Sequence, residues 1–445
     1  MLVTIAISLL ALKSVPLAAA SMVGIIILIT IFFHPFFGLI LYLMLIYIRP
    51  QDFMPSLQPL RIMFTLAMVI IIFSLIQKVI NRDEIKIFAT RQNILMFILL
   101  LIVPLSDLSN FNLEGAWDSL NEFLTLFLPF LLIVLITGKR YKILYWSITF
   151  ACFLLAINGL IQHYNGVDLV GNTPIYGRIK WISIFGDPND FALALISSMP
   201  ILLFNLFYKK LNGIIRIGLI AMLSIFFIAI FFTESRGGYL AVLAVLSSFA
   251  LKRWGVKKGL ITGAVLIIIA LALAPGRMAS MSPYEQSASG RVYAWMSGFI
   301  MLKSHPVLGV GMQKFTQYAS RAAHSAFIKC LAELGLVGFF IWIAMIYTTF
   351  KDLIRIEKKS TDTNLILYSR ITQVSMIGFL TSAFFLSQTY SPIIYVLFAM
   401  TATLSLNLQS ETGIKFTKFT RNDFIIILIL EGTLILIYKV FMIMY

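Results

Sequence analysis

The sequence predicts an all-α protein that crosses a membrane many times, and three observations predict it. Sixty per cent of its 445 residues are hydrophobic and only 12% are charged, with a mean hydropathy of +0.94, a composition that fits no soluble class. Apolar runs of about 15 to 25 residues recur from one end to the other, each long enough as a helix to cross a hydrocarbon core roughly 30 Å thick. Those runs do not alternate polar with apolar residues, which argues against a transmembrane β-barrel. A helical bundle is what remains, because every backbone N–H and C=O inside lipid needs an internal partner.

The opening stretch, MLVTIAISLLALKSVPLAAASMVG, has a Leu-rich run and small residues at Ala18-Ala19-Ala20. No basic residue precedes the run and further hydrophobic segments follow at once, so it reads as a span and not as a cleaved leader. Candidate spans then follow at 2–16, 18–33, 36–48, 60–79, 93–106, 119–137, 142–162, 188–208, 214–232, 237–251, 259–274, 326–350, 368–388, 392–409 and 423–443. The first three are short and merge or re-enter, so 12 to 15 spans are expected. There is no internal repeat at solenoid periods and no low-complexity tract or linker, which predicts one membrane domain over 1–445 with an extracytoplasmic insertion at 275–324. Cys152 and Cys330 are isolated in helix-like context and are expected to be packed residues, neither a metal site nor a disulfide.

The net charge of +16 would suggest nucleic acid in a soluble protein; in a membrane protein it is read through topology, and no nucleic-acid partner is expected. Six connecting segments, Lys78–Arg91, Lys139–Lys142, Lys209–Arg216, Lys252–Lys258, Lys351–Arg370 and Lys415–Arg421, hold 22 of the 35 cationic residues. They alternate in consistent register with the remaining connections, which makes theirs the cytoplasmic side. The opposite side carries 49–61, 104–118, 163–187, the tight tip at 234–237 and a loop of roughly 50 residues from Pro275, the one connection large enough for a small subdomain.

That outer side breaks the positive-inside pattern. Between Pro275 and His324 stand Arg277, Arg291, Lys303, Lys314 and Arg321 against one acid, Glu285, and Arg178, Lys180 and Arg236 add to them. A cation surplus at a lipid surface suits phosphate, whose oxygens match the arginine fork; contact with lipid headgroups is the plain alternative. In FFTESRGGYLAV, Glu234 and Arg236 lie between two apolar runs, where a charge costs about 2.5–3.5 kcal/mol on insertion scales and normally has a partner or a task. A local pair closing a hairpin is the plain alternative there.

His34, before Pro35, reads as structural, and His163 and His305 as loop residues. His324 opens the run AHSAFIKCLAELGLVGFF at the outer surface, where the positive end of a helix favours a neutral imidazole able to act as a base. A base beside arginines is the pattern for attack on a phosphate-activated carbon.

His324-Ser325, nine further residues and then Gly335-Leu336-Val337-Gly338 resemble the His motif of the O-antigen ligase and polymerase superfamily. In the same order come a GDPND-like motif at Gly186 to Asp190, ESRG at Glu234 to Gly237 and SGR at Ser289 to Arg291, the likeness covering roughly 140–410. The resemblance implies an inverting, metal-independent glycosyltransferase of the membrane-embedded GT-C class, in the inner membrane of a bacterium with its site facing the periplasm. It implies an undecaprenyl-diphosphate-linked glycan as donor, a hydroxyl acceptor such as lipid A-core, contact with membrane lipid, and no cofactor. His324 then corresponds to the catalytic base and Arg236 and Arg291 to the diphosphate-binding arginines. Arg178 is similar in placement, with Glu234, Arg321, Asp187 and Asp190 in support; for the two aspartates helix capping is the favoured reading. A D-x-D metal site and a Walker loop are both missing from the sequence, as a lipid-borne donor would allow. An O-antigen polymerase or a protein O-oligosaccharyltransferase shares this chemistry, and a transporter or flippase is the alternative of another class. A transporter calls for mid-span charges and related halves, which the sequence does not show.

Overall fold

The fold was obtained as a computed structural model, described here for residues 15–82, 84, 88–272 and 286–444. Most of the expected span 2–16, together with Lys86, Arg277 and Glu285, lies outside those residues. Among them the secondary structure is helical, with two isolated bridges, Thr90 to Phe416 and Ile175 to Arg178. Fourteen main helices run as α1 Val15–Phe33, α2 Pro35–Ile48, α3 Ile62–Ile80, α4 Arg91–Ser109, α5 Leu113–Ile136, α6 Tyr141–Asn165, α7 Pro188–Tyr208, α8 Gly213–Phe232, α9 Arg236–Ala272, α10 Gln286–Ser304, α11 Ala326–Lys359, α12 Thr363–Ala383, α13 Pro392–Thr412 and α14 Arg421–Met444. Ten helices among the described residues are long and apolar enough to cross a membrane. The chain is a polytopic helical bundle.

Two elements occupy its middle. α7 is buried along most of its length and packs on α6, α8, α9 and α12, while α11 packs on α4, α10, α12, α13 and α14. Cys152 and Cys330 are both buried and unbridged.

Two long helices are broken by glycines. α9 turns back on itself at Gly255 (φ 78°), so that Gly259 faces Leu251 and Gly263 faces Ser247; the basic segment 252–258 is therefore a connection between two antiparallel arms, as the charge pattern predicts. In α11 the break is Gly335 (φ 63°, ψ −167°), and the segment 306–311 inserts there. Leu336 and Val337 donate their backbone N–H groups to Pro306 and Val307, at 2.9 and 3.1 Å, while Val310 and Gly311 donate to Ala332 and Glu333, at 3.1 and 3.0 Å. A side chain at Gly335 would collide with the backbone of Val307 and Gly309. The first glycine of the G-x-x-G pattern thus serves a close backbone crossing, which only a residue without Cβ permits.

The segment after Pro275 is less irregular than its sequence suggests, since it contains the 19-residue helix α10. At the far end of the bundle the basic segments gather. Arg91, almost wholly buried, pairs with the buried Asp352 and lies 3.8 Å from Asp423, its backbone bonding Phe416. Glu357 meanwhile receives Lys252 and Arg370 at 2.7 and 2.8 Å.

Candidate active site

Two of the sequence motifs fold into one local shape. Between α8 and α9, Glu234 sits in the left-handed region (φ 47°) and the hydroxyl of the next residue, Ser235, accepts from Gly238 N at 3.1 Å. Ahead of α11, His324 takes the same backbone angle (φ 47°) and Ser325 follows as N-cap, accepting from Ile328 N at 3.5 Å. In each case serine satisfies an orphan amide of the first turn. The preceding side chain is thrown sideways from the helix start, and Arg236 becomes the first residue of α9. A left-handed non-glycine residue costs on the order of 1–3 kcal/mol and persists only where its surroundings hold it. At His324 they do. Its backbone N–H donates to Ser387 Oγ at 2.8 Å, Thr389 Oγ1 donates to Ala326 O at 2.6 Å, and Ser325 Oγ bonds Tyr438 Oη at 2.7 Å.

Arg178 joins two other motifs. Its Nε donates to Thr233 O at 2.7 Å, just before ESRG, and its Nη2 to Asn189 Oδ1 at 2.9 Å, within GDPND. Asn189 in turn donates through its backbone and side-chain nitrogens to Asp187 Oδ1, both at 2.7 Å, and Asp187 caps α7. Ile179 N also reaches Phe232 O at 3.2 Å, while His163 stacks on the Phe232 ring at 3.7 Å between centroids. His305 bonds Ser304 at 2.9 Å. Neither of these two histidines joins the arginines.

The SGR motif arrives from the opposite flank. The Arg291 guanidinium lies 5.7 Å from the centre of the Phe385 ring, and the bare α-carbon of Gly237 faces that ring from the other helix. One aromatic side chain therefore abuts the start of α9 and Arg291 together. The guanidinium of Arg321 packs directly on Gly290, beside a cavity of about 320 Å³ lined by α10 and residues 319–321. Any side chain at Gly290 would displace Arg321.

His324 is exposed, but neighbouring protein displaces water from its ring, and that loss of solvent is the main reason its pKa falls below the ordinary histidine value. Arg291 and Arg321 push it down further, whereas Asp187 pulls it up. All three charges act on one imidazole, so residues from three sequence segments meet here. The two aspartates of the GDPND motif part company: Asp187 caps α7 and faces His324, while Asp190 is bonded by Gln388 and turns to a larger cavity. Charge, histidine scarcity and the family motifs led to the arginines, the two aspartates, Glu234 and His324, but not to Tyr438 or to the residues of 384–391. Phe385, Ser387, Gln388 and Thr389 carry no charge and form no motif; their only signal is a polar run, SQTYS, between two apolar spans.

A family model described as O-antigen ligase matches residues 220–343. Over that stretch the chain is similar to the O-antigen ligase family. No curated protein matches the chain. The O-antigen ligase match takes in Glu234, Arg236, Arg291, Arg321 and His324, while Arg178, Asp187 and Asp190 precede it. It also contains the inserted segment 306–311 and Gly335, so the backbone crossing that steadies α11 belongs to the same stretch as the site.

Proposed function

We propose that the protein is an O-antigen ligase-like glycosyltransferase of GT-C type, acting on the periplasmic face of a bacterial inner membrane. The observation that carries this reading is the convergence of His324, kept neutral at pH 7, with Arg291 and Arg321 next to the Arg236 helix start. The donor is a glycan on undecaprenyl diphosphate and the acceptor a hydroxyl such as one on lipid A-core. Arg236 and Arg291, with Arg321 beside them, hold the diphosphate; Arg178, which spends hydrogen bonds on Thr233 and Asn189, braces the two loops around them.

His324 removes the proton of the acceptor hydroxyl as its oxygen bonds to the anomeric carbon. The carbon–oxygen bond to the diphosphate breaks on the opposite face with its electron pair, so the configuration inverts. Undecaprenyl diphosphate leaves as an anion whose charge the guanidiniums offset, a fixed electrostatic contribution that needs no carboxylic acid. Glu234, in its strained turn, supports the Arg236 helix start.

Complementation of a ligase-deficient strain that makes O-antigen tests this. At matched membrane expression the wild type restores capped lipopolysaccharide on gels, whereas His324→Ala and Arg236→Ala do not. Restoration by all three refutes the assigned roles. Longer carrier-linked glycan, or glycosylated protein, in place of capped lipopolysaccharide reassigns the acceptor to that of a polymerase or a protein transferase.

A further inference from the structure

A second space of different electrostatic character adjoins the arginine cluster. A cavity of about 930 Å³ opens between α2, the turn at 49–61, α5, the start of α7 and the 387–392 segment, at the upper end of the roughly 300–1,000 Å³ usual for small-molecule sites. Its walls carry Arg49, Arg61 and Lys329, but also Asp118, Glu122 and Asp190. Cationic and carboxylic residues are equal in number, so the walls are of mixed character where the arginine cluster is of one sign. They offer hydrogen-bond donors and acceptors instead.

Those groups are held in place by one another. Gln313 Nε2 donates to Glu122 Oε1 at 2.8 Å, and Lys329 Nζ donates to Gln313 Oε1 at 2.5 Å. The same ammonium lies 5.2 Å from the centre of the Tyr390 ring, which also lines the space. Amides and carboxylates around an aromatic ring are what a sugar needs: hydroxyls for the polar groups, C–H faces for the ring.

Position relates the cavity to the site. Ser387 lines the cavity and also accepts the backbone N–H of His324, so a single residue links the cavity wall to the His324 turn. Of the lining residues only Met312, Gln313 and Lys329 fall within the matched stretch 220–343. Resting on the transferase reading above, we propose that this cavity is a saccharide subsite, holding the carbohydrate next to the reacting centre and setting which glycan the enzyme accepts.

Binding and turnover test it separately. The full-length protein in detergent is applied to a printed array of bacterial surface oligosaccharides and lipid A-core oligosaccharide, as wild type, His324→Ala, Glu122→Gln and Gln58→Trp. Glu122 and Gln58 are exposed in the cavity, and retention of the wild-type melting temperature checks that both variants fold. Wild type and His324→Ala should bind the same subset, with binding at least tenfold weaker in Glu122→Gln and Gln58→Trp. Binding to no arrayed saccharide, or binding indifferent to the cavity variants, overturns the proposal even if transfer is intact. Saccharide binding without transfer overturns the transferase reading and leaves the cavity assignment standing. With transfer in hand, a raised KM for the carrier-linked glycan assigns the subsite to the donor, and a raised KM for lipid A-core assigns it to the acceptor.

Discussion

His324→Asn is the substitution that isolates the proposed base. At φ 47° an alanine is strained, while asparagine, like histidine, enters this region more readily than most residues. The Asn variant keeps the backbone N–H that Ser387 Oγ receives at 2.8 Å and removes only the imidazole. Loss of a general base typically lowers turnover 10²- to 10⁴-fold, about 2.7–5.5 kcal/mol of barrier. The pH dependence carries a second mark of the same group. Desolvation together with Arg291 and Arg321 holds the His324 pKa below its ordinary value, so the neutral form is the resting form at pH 7. Transfer by the wild type should therefore persist as pH falls past about 6.5, the unperturbed histidine value, and decline only through the lowered pKa; the Asn variant should show no such limb. Single-turnover transfer by purified protein in nanodiscs, from pH 4.5 to 8.5, measures both. Turnover of His324→Asn within threefold of the wild type, or an acid limb that survives the substitution, refutes the base assignment.

Gly335→Ala should destabilise by about 2–6 kcal/mol, combining roughly 1–3 for the strained backbone with about 0.5–1.5 for each of the two hydrogen bonds to Pro306 and Val307, read as a lowered thermal midpoint; an unchanged midpoint would show that the 306–311 crossing is not rigid. Asp352→Ala leaves the buried Arg91 only its longer pairing with Asp423, 3.8 Å away, and should cost up to about 3–5 kcal/mol, leaving transfer per folded molecule unaltered; a matching loss of specific activity would couple the two ends.

Hydropathy made the helices legible, because in lipid the run length of apolar residues and the helix are nearly the same physical fact. Even the doubling back of α9 was legible, since Lys252, Arg253, Lys257 and Lys258 mark a connection that helix length alone conceals. Legibility failed where backbone geometry does the holding. Nothing in the sequence announces that 306–311 pairs with the broken turn at Gly335, or that α10 forms inside the long outer segment. The site divides along the same line. His324, Arg236, Arg291 and Arg321 stand out because charge is rare in such a chain. Phe385, which touches both the Arg236 helix start and Arg291, is one of 38 phenylalanines and is invisible until the bundle is assembled.

Why a neutral segment should organise a charged site follows from the repulsion it must overcome. Arg291 and Arg321 both disfavour a proton on His324, and by the same Coulomb interaction they disfavour one another; without a bound anion they gain little by being close. An aromatic ring beside Arg291, a bare glycine under Arg321 and a serine hydroxyl on the His324 backbone are neutral contacts that help fix positions, with the Asp187 carboxylate also acting on His324. On the proposed reading the arginines present their field to an incoming diphosphate, while the strained turn at His324 is held by hydrogen bonds from neutral groups.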